Sequence, residues 1–379
     1  MPKLNPTRVE RAWFLPWNAG WTHSVAFLGG NQRLAAGNQQ GGILLWDLPG
    51  TMPDSPAPAD AKADDELAAP IRKPVRALEG HTNLVSRMGA SPDGRWLYSS
   101  SWDHTVRIWD TQAKPEGKTE VVLFDQRRGD QAKKRGLGEE DVAPVEVELV
   151  RAAKTLDAHS EWVHGFSMTP DRTWLVTGDD AGLMVVWDIP EGKEIARFQT
   201  KERGWARGVA IAPDGKSVFY SEPYDRHREI TGSIGVWDVA TGEMVKDFSK
   251  SKDFRVNNRG VIASESAAYS PDGARVAMAS SKVVLLDAET GEIVWSEDGH
   301  KEEVRHVAFS GDGEFILSAG RDTQVRIRQA KDGKQVAEIG APRGGQFKDW
   351  IHHFDLSPDE QWLATADMAG MAHVWHFTS

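Results

Sequence analysis

The stretch Gly80–Asp110, GHTNLVSRMGASPDGRWLYSSSWDHTVRIWD, decides the fold. It opens on Gly80-His81 and runs through a short apolar strand to the turn Ser91-Pro92-Asp93-Gly94. A second strand follows around Trp96 to Ser100, then a tight turn at Asp103 and a third strand ending Ile108-Trp109-Asp110. Pro92 pre-sets φ at the first turn position, Asp93 bonds to nearby backbone and Gly94 accepts a positive φ, so the stretch predicts antiparallel strands joined by short reversals. One such sheet cannot bury both of its faces. It has to stack on copies of itself.

Six further segments repeat the layout. The first runs from about Trp21 to Pro49 and closes on Trp46-Asp47; the third, His159 to Phe198, has Thr169-Pro170-Asp171 and Trp187-Asp188. The fourth, Trp205 to Phe248, carries Pro213-Asp214-Gly215 and Trp237-Asp238, and the fifth, Ala263 to Trp295, has Ser270-Pro271-Asp272-Gly273 but Leu286-Asp287 at its close. The sixth starts at Gly299-His300, turns at Gly311-Asp312-Gly313 and puts Arg328 where the Trp belongs; the seventh, Trp350 to Phe377, has Ser357-Pro358-Asp359 and Trp375. The Gly-His opening, the Ser-Pro-Asp-Gly turn and the closing Trp-Asp, in that order, resemble the WD40 repeat.

That resemblance covers most of the sequence and implies an all-β, seven-bladed WD40-type β-propeller occupying residues 1–379 as one domain. It also implies a buried tetrad of His81, Ser99, Asp103 and Trp109 tying the connecting loop to the inner strands. The tetrad is complete only in the second repeat; the sixth keeps His300, Ser318 and Asp322, and the third keeps His159, Thr177 and Trp187, with Asp180 displaced by one position. The last segment stops three strands into a blade, while residues 7–15, TRVERAWFL, read as a lone strand. The N-terminal strand is therefore expected to close the last blade, which removes two exposed edges.

Two stretches fall outside the repeats. Residues 50–73, rich in Pro, Ala and Asp, read as a disordered loop insertion. Residues 113–156 read as a charged insertion in which 119–125 and 145–156 form a hairpin on the rim, with 126–141 as a mobile tip. The tripeptide Arg128-Gly129-Asp130 lies in that tip and is expected to carry no adhesion role, because MPKLNPTRVERAWFLPW does not read as a secretory leader.

Composition narrows the function. A formal net charge of −11 argues against a general nucleic-acid binder, which needs clustered Lys and Arg. Cys is absent, so disulfides, thiol catalysis and thiolate-bound zinc are excluded. No apolar run approaches a membrane span, so the expected compartment is the cytoplasm. Neither a nucleophile elbow, nor a phosphate-binding Gly loop, nor a metalloprotease His pair occurs, so the protein is read as non-enzymatic, with no cofactor and no metal.

Aligning the repeats on their inner strands exposes a column just before the strand: Trp21, Leu84, Trp162, Trp205, Ala263, Glu303 and Trp350. Two positions on stand His23, Ser86, His164, Arg207, Glu265, Arg305 and His352. In the family these positions frame the channel on the loop-rich top face. Aromatic anchors beside Arg and His have the composition of a binding hot spot. Trp21, His23, Trp162, His164, Trp205, Arg207, Arg305, Trp350 and His352 are accordingly the candidate contacts for a protein or peptide partner, within a larger complex or outside one. Two alternatives stand beside this: the column merely packs adjacent blades, or the propeller is a small-molecule binder or an enzyme using the channel mouth, where His164, Arg207, Arg305 and His352 meet an anionic group. A structural subunit of a homo-oligomer is a third reading. The three histidines do not suggest a metal, because their blades are not all adjacent. A further column, Trp96, Trp174 and Trp362, reads as inter-blade packing.

Overall fold

The computed structural model describes residues 4–54, 56–58, 69–134, 136–201, 203–222, 232–251, 254–256, 260–261, 264–298, 300, 303–340 and 350–378. Its strands assemble into seven antiparallel blades. Their inner strands are Thr22–Leu28, Val85–Ala90, Val163–Met168, Gly208–Ile211, Ser266–Tyr269, Val304–Phe309 and Ile351–Leu356, blades 1 to 7 in that order. Each packs against the next, and blade 7 packs against blade 1, so the ring is closed.

The turn that ends each inner strand works as its residues dictate. Ser91 Oγ takes the Trp96 N–H at 2.9 Å, and the Gly94 N–H returns to the Ser91 carbonyl at 2.9 Å with φ of 69°. A Cβ on Gly94 would sit 2.1 Å from the Gly29 nitrogen of blade 1. Neighbouring turns therefore touch backbone to backbone, which only Gly permits. The core lies between blades. Ala26, Leu28, Ile43 and Leu45 of blade 1 interleave with Val85, Met88, Leu97 and Trp109 of blade 2. Trp174 of blade 3 covers the Gly215 turn of blade 4, where a Cβ would fall 2.7 Å from its ring, and Trp362 is buried with its ring 4.3 Å from that of His376.

In blade 2, His81 Nδ1 lies 2.8 Å from Asp103 Oδ2, and both His81 Nε2 and Trp109 Nε1 lie 2.8 Å from Ser99 Oγ. Blade 3 repeats this with His159, Thr177 and Trp187, but its acid is Asp179, 3.1 Å from His159 Nδ1. The expectation of Asp180 is corrected: Asp180 turns into the channel mouth instead. Blade 6 pairs His300 with Asp322 at 2.6 Å and Ser318 at 3.0 Å, and Arg328 Nη1 donates to Ser318 Oγ at 3.3 Å from the slot a Trp fills elsewhere. Blade 4 has no such histidine. There buried Glu222 accepts from Thr200 Oγ1 at 2.7 Å and Ser233 Oγ at 2.9 Å.

Ser99→Ala is expected to cost about 2–5 kcal/mol, because it strands the facing nitrogens of His81 and Trp109 together. A urea titration measures this directly, and a loss under 1 kcal/mol would show that the tetrad carries little of the blade's stability.

The N-terminal strand Arg8–Pro16 pairs antiparallel with Met371–Thr378 as the fourth strand of blade 7. Both insertions pack onto it, which corrects part of their reading. Ala57–Pro58 pair with Glu10 and Arg11, the Phe14 N–H donates to the Pro70 carbonyl at 3.0 Å, and Ala57 and Ala69 are buried. Residues 55 and 59–68 of the expected disordered loop lie outside the described residues. The second insertion forms its hairpin from Gly117–Val121 and Val145–Arg151, which adds parallel to Arg76–Glu79 on the edge of blade 1. Lys154–Asp157 does not belong to that hairpin; it is the outer strand of blade 2. The expected mobile tip is instead helical over Gln126–Lys134 and Glu139–Val142, and Arg128 Nη1 docks on the Ala369 carbonyl at 2.8 Å.

Blades 3 to 6 keep open outer edges, each interrupted by a bulge. The unpaired residues are Ile195, Val245, Val294 and Val336, all exposed. A bulge twists an edge away from pairing with another molecule, so these four open edges are protected.

Candidate functional site at the channel mouth

The inner strands begin at one end of the channel and end at the Ser-Pro-Asp-Gly turns, so the residues preceding them ring a single mouth. A cavity of about 370 Å³ opens there, walled by Trp21, His23, Trp162, His164, Arg207, Arg305, Trp350 and His352, with Leu84, Arg87, Trp102, Glu265 and Met368. Eight of the nine expected contacts are thus brought together. Trp205 is not on the wall; its ring lies 4.3 Å from the Arg207 guanidinium and supports it. Ala263 lies outside the described residues.

The sequence reading missed Arg87, Trp102 and Met368. Trp102 and Met368 belong to a second ring, tied to the first by one repeated backbone bond. The N–H groups of Gln39, Trp102, Asp180, Arg321 and Met368 donate to the carbonyls of Trp21, Leu84, Trp162, Glu303 and Trp350, at 2.9–3.2 Å. Each loop residue is thereby held beside the column residue of its own blade.

Aromatic surface and charge are arranged separately. Trp102 stacks on Trp162 with centroids 4.3 Å apart and planes within 5°, and His164 leans on Trp102 at 5.1 Å. Across the mouth, His23 and His352 lie ring against ring at 4.3 Å, and the Arg321 guanidinium covers Trp350 at 4.1 Å. Trp21 and Trp162 remain 42% and 40% exposed, unusual for so large an apolar surface. Arg207 grips Asp180 with two bonds, Nη2–Oδ2 at 2.8 Å and Nε–Oδ1 at 3.1 Å. Glu265 Oε2 bridges Arg305 Nη1 at 2.8 Å and Arg207 Nη1 at 3.5 Å, and Arg321 Nη2 pairs with Glu303 at 3.1 Å.

These charges fix the protonation of the histidines. Burial and then the Arg87 charge push His23 down to about 3, and burial beside the same arginines holds His164 and His352 well below the ordinary imidazole value. All three are neutral at pH 7. Burial tends to raise Glu265, but Arg305 and Arg207 outweigh it and keep the carboxylate ionised. Among the described residues, no group of three or more His, Asp or Glu is placed to hold a metal ion. Nor is any helix among them long and apolar enough to cross a membrane.

A larger recess of about 770 Å³ opens at the opposite face between blades 5 and 6, floored by Leu285, Phe309 and Phe315. Its turn carboxylates Asp272 and Asp312 are engaged by Ser270 at 2.5 Å and Ser310 at 2.7 Å. The mouth, with its exposed tryptophans and buried charges, is the stronger candidate.

The WD40 family, described as WD domain, G-beta repeat, matches residues 72–110, 151–188 and 341–376. The Anaphase-promoting complex subunit 4 WD40 domain matches 267–352. Together with the seven-bladed ring these establish that the protein belongs to the WD40-repeat proteins. It is 24% identical over 341 residues to Small ribosomal subunit protein RACK1 of Caenorhabditis elegans, a match covering 83% of this sequence and 94% of the relative. Protein HIR1 of Kluyveromyces lactis is 24% identical over 293 residues, 74% of this sequence and 30% of the relative. Apoptotic protease-activating factor 1 of Homo sapiens is 22% identical over 350 residues, 78% of this sequence and 26% of the relative. The matched region thus spans under a third of the last two.

Proposed function

We propose that this propeller is a non-catalytic interaction scaffold whose channel mouth receives a protein or peptide partner. The observation that carries the reading is the coexistence of exposed Trp21 and Trp162 with guanidiniums fixed by ion pairs in one cavity. Large rigid rings desolvate a partner at little entropic cost, and fixed cations set its orientation. The closed ring supplies the rigidity. The names of the relatives, a ribosomal subunit protein and a protease-activating factor, are those of proteins that work with other proteins.

Trp162→Ala with Trp350→Ala is expected to abolish partner retention while leaving the melting temperature within a few degrees of wild type. The check is affinity capture in parallel from the source cell, with mass spectrometry of what is held. A partner retained equally by both proteins would move the site to the rim or the opposite face. If neither retains a protein and a metabolite raises the melting temperature instead, the mouth is a small-molecule site.

A further inference from the structure

Among the described residues, the walls of the mouth are one negative charge short. Arg87, Arg207 and Arg305 face Asp180 and Glu265, and the three histidines beside them are neutral. Glu303 lies 3.1 Å from Arg321 Nη2 and 3.6 Å from Arg305 Nη2, so counting Arg321 together with Glu303 adds one charge of each sign and leaves the difference unchanged. The excess sits on Arg87. Its side chain reaches from blade 2 across the channel to blade 6, donating through Nη1 to the Ser86 carbonyl at 2.9 Å and through Nη2 to the Arg305 carbonyl at 3.4 Å. It is only 8% exposed, yet no carboxylate among the described residues lies within ion-pair distance of it. A guanidinium carries five N–H donors, and a buried cation without a counter-charge is costly.

Further polar groups point the same way. Arg305 Nε is a donor buried on the same wall with no hydrogen-bond partner, and His164 Nε2 and His352 Nε2, which donate in the Nε2–H tautomer, are unmatched beside it. Native structures leave few such groups unmatched, and those that remain are met by water, an ion or a ligand group. Resting on the reading of the mouth as a partner surface, we infer that it is a receptor for one carboxylate, an Asp or Glu side chain of a protein partner, which enters beside the Trp102–Trp162 stack and pairs with Arg87.

Charge and geometry select that occupant. A phosphomonoester brings close to two negative charges where the wall lacks one. The free carboxylate at the end of a peptide is held by nests of free backbone N–H groups. Here the loop N–H groups of Gln39, Trp102, Asp180, Arg321 and Met368 are already spent on carbonyls, so the open donors belong to side chains. A basic partner residue would add to the excess. Leu84 and Met368 give the acidic residue an apolar flank on which its methylenes rest.

The test screens an array of random peptides, N-acetylated and C-amidated, on wild type, on Arg87→Met and on Trp162→Ala, then titrates the retained peptides by calorimetry. Retained peptides are expected to share an Asp or Glu at one position. Its change to Asn or Gln, and Arg87→Met, should each weaken binding by more than about 30-fold, and the two losses should not add. Peptides without a fixed acidic residue that ignore Arg87→Met but are lost by Trp162→Ala would overturn the carboxylate and leave the partner surface standing. Peptides indifferent to both variants would sink the partner surface as well. Retention of no amidated peptide, or binding only with a free C-terminus, overturns the side-chain assignment. Folding provides a second check: Arg87→Met should melt no lower than wild type, because Met fills the space and removes an unbalanced charge. A fall of many degrees would mean that Glu265 already balances Arg87.

Discussion

Acidification from pH 7 to pH 5 is expected to destabilise this propeller strongly. Five buried histidines of the inner strands, His23, His164, His306, His352 and His353, are held below the ordinary imidazole value, first by burial and then by the charges of Arg87, Arg305 and Arg207 or by one another. Geometry agrees. The Val25 N–H donates to His353 Nδ1 at 3.3 Å, a bond that a protonated nitrogen cannot accept, and His306 lies 4.3 Å from His353, so two cations there would repel. In the unfolded state each ring regains a value near 6.5. The unfolded state therefore binds more protons at every pH below that, so the stability these rings contribute is complete above 6.5 and is lost as pH falls toward the folded values.

A ring that stays neutral in the folded state loses roughly 1 kcal/mol between pH 6 and pH 5, so five together remove an amount comparable to the whole stability of many domains. Buried Asp355 works in the opposite direction. Burial raises it to about 6, so below that value the folded state holds a proton that the unfolded carboxyl has released, which offsets roughly one histidine down to the ordinary carboxylate range. Tryptophan fluorescence followed against pH measures the transition. A melting temperature unchanged between pH 7 and pH 5 would show that the rings titrate normally in the folded state. His306→Asn, which keeps a polar group beside Ser266 Oγ, should reduce proton uptake on unfolding by about one.

Turn chemistry made the ring readable, because Ser-Pro-Asp-Gly and its variants state their own geometry and the final segment visibly lacks a strand. Those signals come from residues whose backbone preferences are strong. The contacts of the insertions come from residues with none. Ala57 and Ala69 are small, the bonds of residues 70 and 72 to Phe14 are backbone alone, and the helix Gln126–Lys134 buries only Gly129 and Ala132, so no apolar period marks it. The mouth was legible as far as the period of the repeat carried. Trp21, Trp162, Trp350 and the alternate column two residues on share one phase and meet at one cavity. Trp102 stands in the loop column tied to it by backbone bonds, and that column, Gln39, Trp102, Asp180, Arg321 and Met368, was the available signal. Arg87 is one residue out of phase, aligned with Gly165 and Gly208 in the next blades, where no side group hints at a charge. Asp180 was misassigned because two adjacent acids fit the tetrad equally well in one dimension, and only the direction of the backbone separates Asp179 from it.

Phe14→Ala is expected to cost about 3–5 kcal/mol, far more than its position near the N-terminus suggests. The ring is buried in the closing strand, 5.5 Å from His373 of blade 7 and 6.4 Å from Phe124 of the second insertion. Its backbone holds the first insertion on both sides, donating to Pro70 and accepting from the Arg72 N–H at 3.1 Å, while the Arg72 guanidinium covers Trp13 at 4.1 Å. The seam of the ring is thus clasped from two directions, whereas Val245 on an open edge touches little; Val245→Ala should stay within about 0.5 kcal/mol. Removing the strand through Pro16 exposes the edge of Met371–Thr378 to other molecules, so self-association should accompany the loss of stability. Urea titration and size-exclusion chromatography measure the two effects. A truncated protein that runs as a monomer and melts with the wild type would show that six blades and an open seventh suffice. If the clasp is real, Phe14→Ala and Phe124→Ala will cost less together than the sum of their separate losses, because the first substitution has already emptied the contact that the second removes.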